Sequence, residues 1–146
     1  MKLQRSSRLA LYSVLELAAR DDEQLSASEI ATKFDVSLNH LAKVLRDLGR
    51  ARMVEAVRGA GGGYRFCGNS KRITLKDVVE IFEPISLHDT GGFEPGDKTE
   101  FGASLAVVLG EIDYIALATL DSITIETMLK LTNRVQKKLI TAPLEG

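Results

Sequence analysis

The sequence predicts a mainly α-helical fold with one small β-hairpin and a long apolar helix after it. Three observations carry that prediction. Apolar residues recur at three- and four-residue spacing through most of the first 50 positions. A glycine run, Gly59-Ala60-Gly61-Gly62-Gly63, sits between two alternating segments. Finally, Gly102 to Leu120 holds a broad apolar stripe with no Lys or Arg. A length of 146 residues suits one compact domain, or a small domain with an assembly arm, and excludes large barrels and doubly wound enzymes. With 45% hydrophobic and 27% charged residues the chain is expected to fold rather than remain disordered.

Ser6 or Ser7 is placed to cap a first helix whose apolar set is Leu9, Tyr12, Leu15, Ala18 and Ala19, ending at Asp21-Asp22-Glu23. Ser26-Ala27-Ser28-Glu29 is a capping box that opens a short second helix with Ile30, Ala31 and Phe34 inward. Asp35-Val36-Ser37 breaks it. Ser37 then caps a third helix that turns Leu38, Leu41, Val44, Leu45 and Leu48 inward and Asn39, His40, Lys43, Arg46 and Arg50 outward. Polar amide and imidazole groups lead and cations follow, the order a helix needs when its N-terminal end meets base edges and its longer side chains reach phosphates.

Val54-Glu55-Ala56-Val57-Arg58 and Tyr64-Arg65-Phe66-Cys67 alternate like strands on either side of the glycines. With Arg58 and Arg65 flanking its tip, this hairpin suits a sugar–phosphate backbone, and the whole reads as a winged helix-turn-helix domain. The glycine run lacks the Lys and Ser/Thr of a P-loop, and Tyr64 stands where a dinucleotide fingerprint needs its third glycine. Charge divides accordingly: residues 1–76 hold 14 Lys/Arg against 8 Asp/Glu, and residues 77–146 hold 5 against 12, or +6 and −7. That is the pattern of a nucleic-acid reader joined to an acidic assembly arm.

On the arm, Leu105, Val108, Leu109, Ile112, Ile115 and Ala116 form the expected dimerisation stripe, extended by Tyr114 and Leu117. A Thr-capped segment from Thr124 echoes that from Thr74 and is expected to pack back near the body, with Arg134, Lys137 and Lys138 on a fraying tail. The expected division is a DNA-binding domain over 1–83, a loop over 84–100, and a dimerisation helix with a C-terminal segment over 101–146. The N-terminus lacks the apolar core of a secretion signal, and the apolar run from Phe101 is stopped by Glu111 and Asp113. A cytoplasmic protein without membrane contact is expected. An enzyme is not: no nucleophile has a base at useful spacing, and His40 and His88 lie in different elements.

These residues resemble the Rrf2 family of bacterial winged-helix transcription regulators over nearly the whole chain. The resemblance is carried by Met1-Lys2-Leu3, Leu25-Ser26-Ala27-Ser28-Glu29-Ile30-Ala31, Val36-Ser37-Leu38-Asn39-His40-Leu41-Ala42-Lys43-Val44-Leu45, Val57-Arg58-Gly59, and Gly62-Gly63-Tyr64-Arg65. It continues through Ile73-Thr74-Leu75-Lys76-Asp77-Val78-Val79 and Ile123-Thr124-Ile125-Glu126-Thr127-Met128-Leu129. Within the family, Asn39-His40-Leu41 and Val57-Arg58-Gly59 are most similar to the nitric-oxide-responsive branch. The resemblance implies a homodimer, often a repressor, that reads a palindromic operator in double-stranded DNA. Ser37, Asn39, His40, Lys43, Arg46 and Arg50 on the third helix and Arg58, Gly59, Tyr64 and Arg65 on the wing are the expected DNA-binding residues. A dimeric interaction module controlled by a protein partner is the alternative.

Many relatives hold an iron–sulfur cluster through three cysteines in the loop before the dimerisation helix, some with a fourth ligand from the first helix. Here the corresponding stretch, Ser86 to Glu100, has no cysteine, the first-helix position offers Arg8, and the chain's one cysteine is Cys67. No cofactor is therefore expected. Alternatives are a divalent metal on His88, Asp89 and Glu94, or a cluster with atypical ligands, against the commoner fate of such residues as a solvated loop. A protein or small-molecule effector is a further possible partner. Cys67 reads as a small buried hydrophobe at the end of the wing.

Overall fold

A computed structural model describes residues 2–59, 61–85 and 93–141. Its elements are α1 (Arg5–Ala19), α2 (Ala27–Phe34), α3 (Leu38–Arg50), β1 (Val54–Val57), β2 (Gly63–Phe66), α4 (Leu75–Val79), α5 (Glu100–Ser122) and α6 (Ile125–Thr141). The architecture is the expected one: mainly helical, with one two-stranded antiparallel hairpin and a long helix toward the C-terminus.

The core gathers around α1. Leu9, Val14 and Leu17 meet Ile30 of α2, Leu41, Leu45 and Leu48 of α3, Val78 and Val79 of α4, and Ile125 of α6. Burying aliphatic side chains of this size stabilises by about 1.5–3 kcal/mol each, which is what holds three short helices that would be marginal alone. Residues 27–34 start where predicted: Ser26 Oγ accepts from Glu29 N at 3.1 Å, and Glu29 Oε2 accepts from Ser26 N at 2.7 Å.

The face of α1 differs from the sequence expectation. Ser7 and Ser13 are buried and Tyr12 is 41% exposed, stacked on Phe34. Neither Ser6 nor Ser7 is the cap. The N-cap is Gln4, with no side-chain cap of its own. The carboxylate of Glu83, just past α4, does that work instead, accepting from Gln4 N at 2.8 Å and Ser7 Oγ at 2.5 Å. Ser13 Oγ returns its hydrogen bond to Leu9 O at 2.8 Å, so both inward hydroxyls are satisfied.

In the hairpin, Val54 pairs with Phe66, Glu55 with Arg65, Ala56 with Tyr64 and Val57 with Gly63. Leu25 adds an isolated bridge to Tyr64, its N donating to Tyr64 O at 3.0 Å and its O accepting from Tyr64 N at 2.8 Å. A side chain at Gly63 would collide with the Leu25 carbonyl, so glycine is required there. Gly59, with φ 111°, takes the chain into the turn.

α5 leaves this body. None of its residues is buried, although 23 residues make a rod about 35 Å long. α6 turns back and packs on α1, anchored by the fully buried Ile125.

Candidate nucleic-acid interface

Ser37 Oγ accepts from His40 N at 3.1 Å and caps α3. Leu41, Val44, Leu45 and Leu48 are buried and fix the helix's rotation about its axis. Asn39, Lys43, Arg46 and Arg50 are consequently exposed, and His40 is half-buried. Leu38 departs from the expected inward set, being 49% exposed at the first turn beside Ser37.

Among the described residues Asn39, Lys43, Arg46 and Arg58 have no hydrogen-bond or ion-pair partner for their side chains. Arg50 is offset by Asp47, 3.7 Å away. Cations kept unpaired on a folded surface are available to an anionic partner, such as a phosphodiester backbone. Tyr64 faces inward, packed against the core, so it supports the wing from beneath. Arg65 is engaged: its Nε donates to Glu55 Oε1 across the strand pair.

Sequence reasoning missed two residues. Arg5, from the first turn of α1, lines a cleft with Asp35, Val36, Ser37 and His40 beside the start of α3. Its signal was the basic N-terminal run Lys2, Arg5, Arg8. Glu55 was readable from the hairpin register, which sets it opposite Arg65.

One cysteine is too few for a cluster held by cysteines alone. Cys67, the chain's one cysteine, lies exposed beyond β2, with Sγ 3.3 Å from Arg52 O. Partial burial pushes its thiol pKa up, and Glu55 pushes further than Arg65 pulls back. It is thus not the buried hydrophobe that was expected. Arg8 donates to the Tyr12 hydroxyl at 3.3 Å. His88 and Asp89 lie outside the described residues, and Glu94 is exposed. Among the described residues no three His, Cys, Asp or Glu side chains gather to hold a metal ion.

On α5, Leu105, Val108, Leu109, Ile112 and Ile115 are exposed and Ala116 is half-buried. By length and composition this helix could cross a membrane. Glu111 and Asp113 sit at its middle, however, where an acidic side chain costs roughly 2.5–3.5 kcal/mol in a bilayer.

The profile of the family described as "Rrf2: Iron-dependent Transcriptional regulator" matches residues 3–131. The chain is 50% identical over 143 residues to BadM of Rhodopseudomonas palustris, named as an HTH-type transcriptional regulator, covering 98% of this chain and 90% of that protein. It is 33% identical over 116 residues to the HTH-type transcriptional regulator IscR of Cereibacter sphaeroides, covering 76% of this chain and 75% of that one. Among solved structures, T. potens IscR superposes with a TM-score of 0.75 at 24% identity, covering 93% of this chain and 91% of that chain, and so shares the fold. A helix-turn-helix with an unpaired cationic face, a glycine-tipped hairpin and these matches lead to one conclusion: the chain belongs to the Rrf2 family, a family of transcription regulators rather than enzymes.

Proposed function

We propose that this regulator works in the cytoplasm as a homodimer, repressing transcription by occupying a palindromic operator, without a cysteine-ligated iron–sulfur cluster. The observation that carries the reading is the outward face of α3, where Asn39, Lys43 and Arg46 stand without partners on a helix whose rotation the core fixes. Asn39, His40 and Lys43 approach base edges, and Arg46, Arg50 and Arg58 hold phosphates, with Ser37 and Gly59 offering backbone close to the DNA. Residues 1–83 do the reading, and residues 101–146 assemble the pair.

The dimer reading rests on α5. A helix with no buried residue that leaves Ile112 49% exposed and Ile115 57% exposed needs an apolar cover, and a second copy supplies one. A two-fold pair also presents two copies of α3, which is why a palindrome suits it. The cluster-free reading follows from the donor set: one cysteine, on the wing.

Fluorescence anisotropy with a labelled duplex from the region upstream of its own coding sequence, and a scrambled duplex, tests the reading. Specific binding should be tighter by a factor on the order of 10³ or more. Equal affinity for both duplexes by the folded protein would overturn it.

A further inference from the structure

We propose that Glu55 restrains the wing: paired with Arg65 across β1 and β2, it withholds that guanidinium from DNA and keeps operator affinity below what the wing's cations could reach. The inference rests on the DNA-binding reading above and assigns a tuning residue within it.

The hairpin register supplies the first argument. Directly opposed residues in an antiparallel pair share a face, so Glu55 and Arg65 lie together, opposite the face on which Val54, Phe66 and Tyr64 meet the core. Nε of Arg65 donates to Oε1 of Glu55. Charge supplies the second. Arg58 lies at the tip with no partner among the described residues, whereas Arg65 is neutralised. The wing therefore offers one free cation where its sequence holds two.

The pair is also accessible. Its side chains are 43% and 55% exposed, and an exposed ion pair is weak enough for a phosphate to compete for the arginine. Competition leaves Glu55 unpaired beside the DNA backbone, and that electrostatic cost is the restraint.

Glu55→Gln keeps the shape and removes the charge. Anisotropy titrations with the upstream duplex at several salt concentrations should show tighter binding, several-fold near 0.1 M salt. The slope of log K against log salt should steepen by about 0.9 for each arginine released to a phosphate. Arg65→Ala alone should weaken binding, because it leaves the Glu55 charge unpaired, and in the Glu55→Gln background it should bring affinity back to about that of the unsubstituted protein. Unchanged or weaker binding by Glu55→Gln overturns the proposal, as does a gain that persists without Arg65, which would show repulsion acting directly. Should Glu55→Gln melt early by circular dichroism, Glu55→Thr, a residue suited to strands, repeats the measurement. If the unsubstituted protein does not prefer the upstream duplex over the scrambled one, the DNA-binding reading itself has failed, a result distinct from these.

Discussion

Thr74 and Thr124 face each other across an isolated antiparallel bridge, and each caps its own helix. Leu75 N donates to Ile123 O, and Ile125 N to Ile73 O, both at 2.9 Å. Thr74 Oγ1 accepts from Asp77 N at 3.2 Å to start α4, and Thr124 Oγ1 accepts from Thr127 N at 3.1 Å to start α6. The N-terminal body and the C-terminal helices are thus joined through backbone hydrogen bonds as well as through the buried Ile125. Thr74 is itself buried, and Thr124 is half-buried. Thr74→Ala should cost about 1–2 kcal/mol of unfolding free energy and Thr124→Ala about 1 kcal/mol, with serine at either position recovering most of it. Urea denaturation followed by circular dichroism measures both, and an unchanged midpoint for Thr74→Ala would contradict the capping role of its hydroxyl.

Ile112→Glu places a charge in the middle of the exposed α5 stripe. In a pair of facing helices that charge would be buried without a partner, a cost of several kcal/mol for each protomer. Sedimentation velocity should show a dimer become a folded monomer, and operator affinity should fall with it because a monomer engages only half as many phosphates. A variant that still sediments as a dimer would remove this face from the interface.

Arg58→Ala should weaken binding to all duplexes alike and flatten the salt dependence by about 0.9 for each phosphate no longer neutralised. Asn39→Ala should instead reduce the preference for the upstream duplex over the scrambled one, by about 1–3 kcal/mol. Anisotropy titrations across salt separate the two effects, and identical behaviour of the two variants would contradict the division between phosphate-holding and base-reading residues.

Burial and the charge of Glu55 hold the Cys67 thiol above its ordinary pKa. The reactive thiolate is the deprotonated form, so at neutral pH less of it is present than in a free cysteine. Alkylation by iodoacetamide should be slower than that of a cysteine in a short uncharged peptide blocked at both ends at pH 7.5 and should accelerate as pH rises. Glu55→Gln should speed it. Equal rates for the protein and the peptide would contradict this environment.

Local signals in the sequence led directly to the local structure. Ser26 with Glu29, Ser37, Thr74 and Thr124 all cap the helices they announce, because capping is decided within four residues. The glycine run between alternating segments does become a hairpin. What periodicity could not show depends on distant partners. Ser7 lies on the buried face of α1, where its hydroxyl meets Glu83, 76 positions away, while Tyr12 points outward. Cations on α3 were legible, since the leucines that fix its rotation are consecutive in the pattern. Arg65 carried the same charge in sequence as Arg58, and only pairing across the strands separates them. The bridge between Thr74 and Thr124 was visible as a resemblance between two segments, but their pairing is a tertiary fact.

Hydroxyl-radical footprinting of the upstream region tests the central claim most directly, that a two-fold pair of α3 helices reads DNA. Two protected half-sites related by a dyad should appear, their centres about 10.5 base pairs apart or a multiple of that. The combined substitution Asn39→Ala, Lys43→Ala should erase them while leaving the protein folded. A single unsymmetrical footprint, or protection that survives that substitution, would contradict the account.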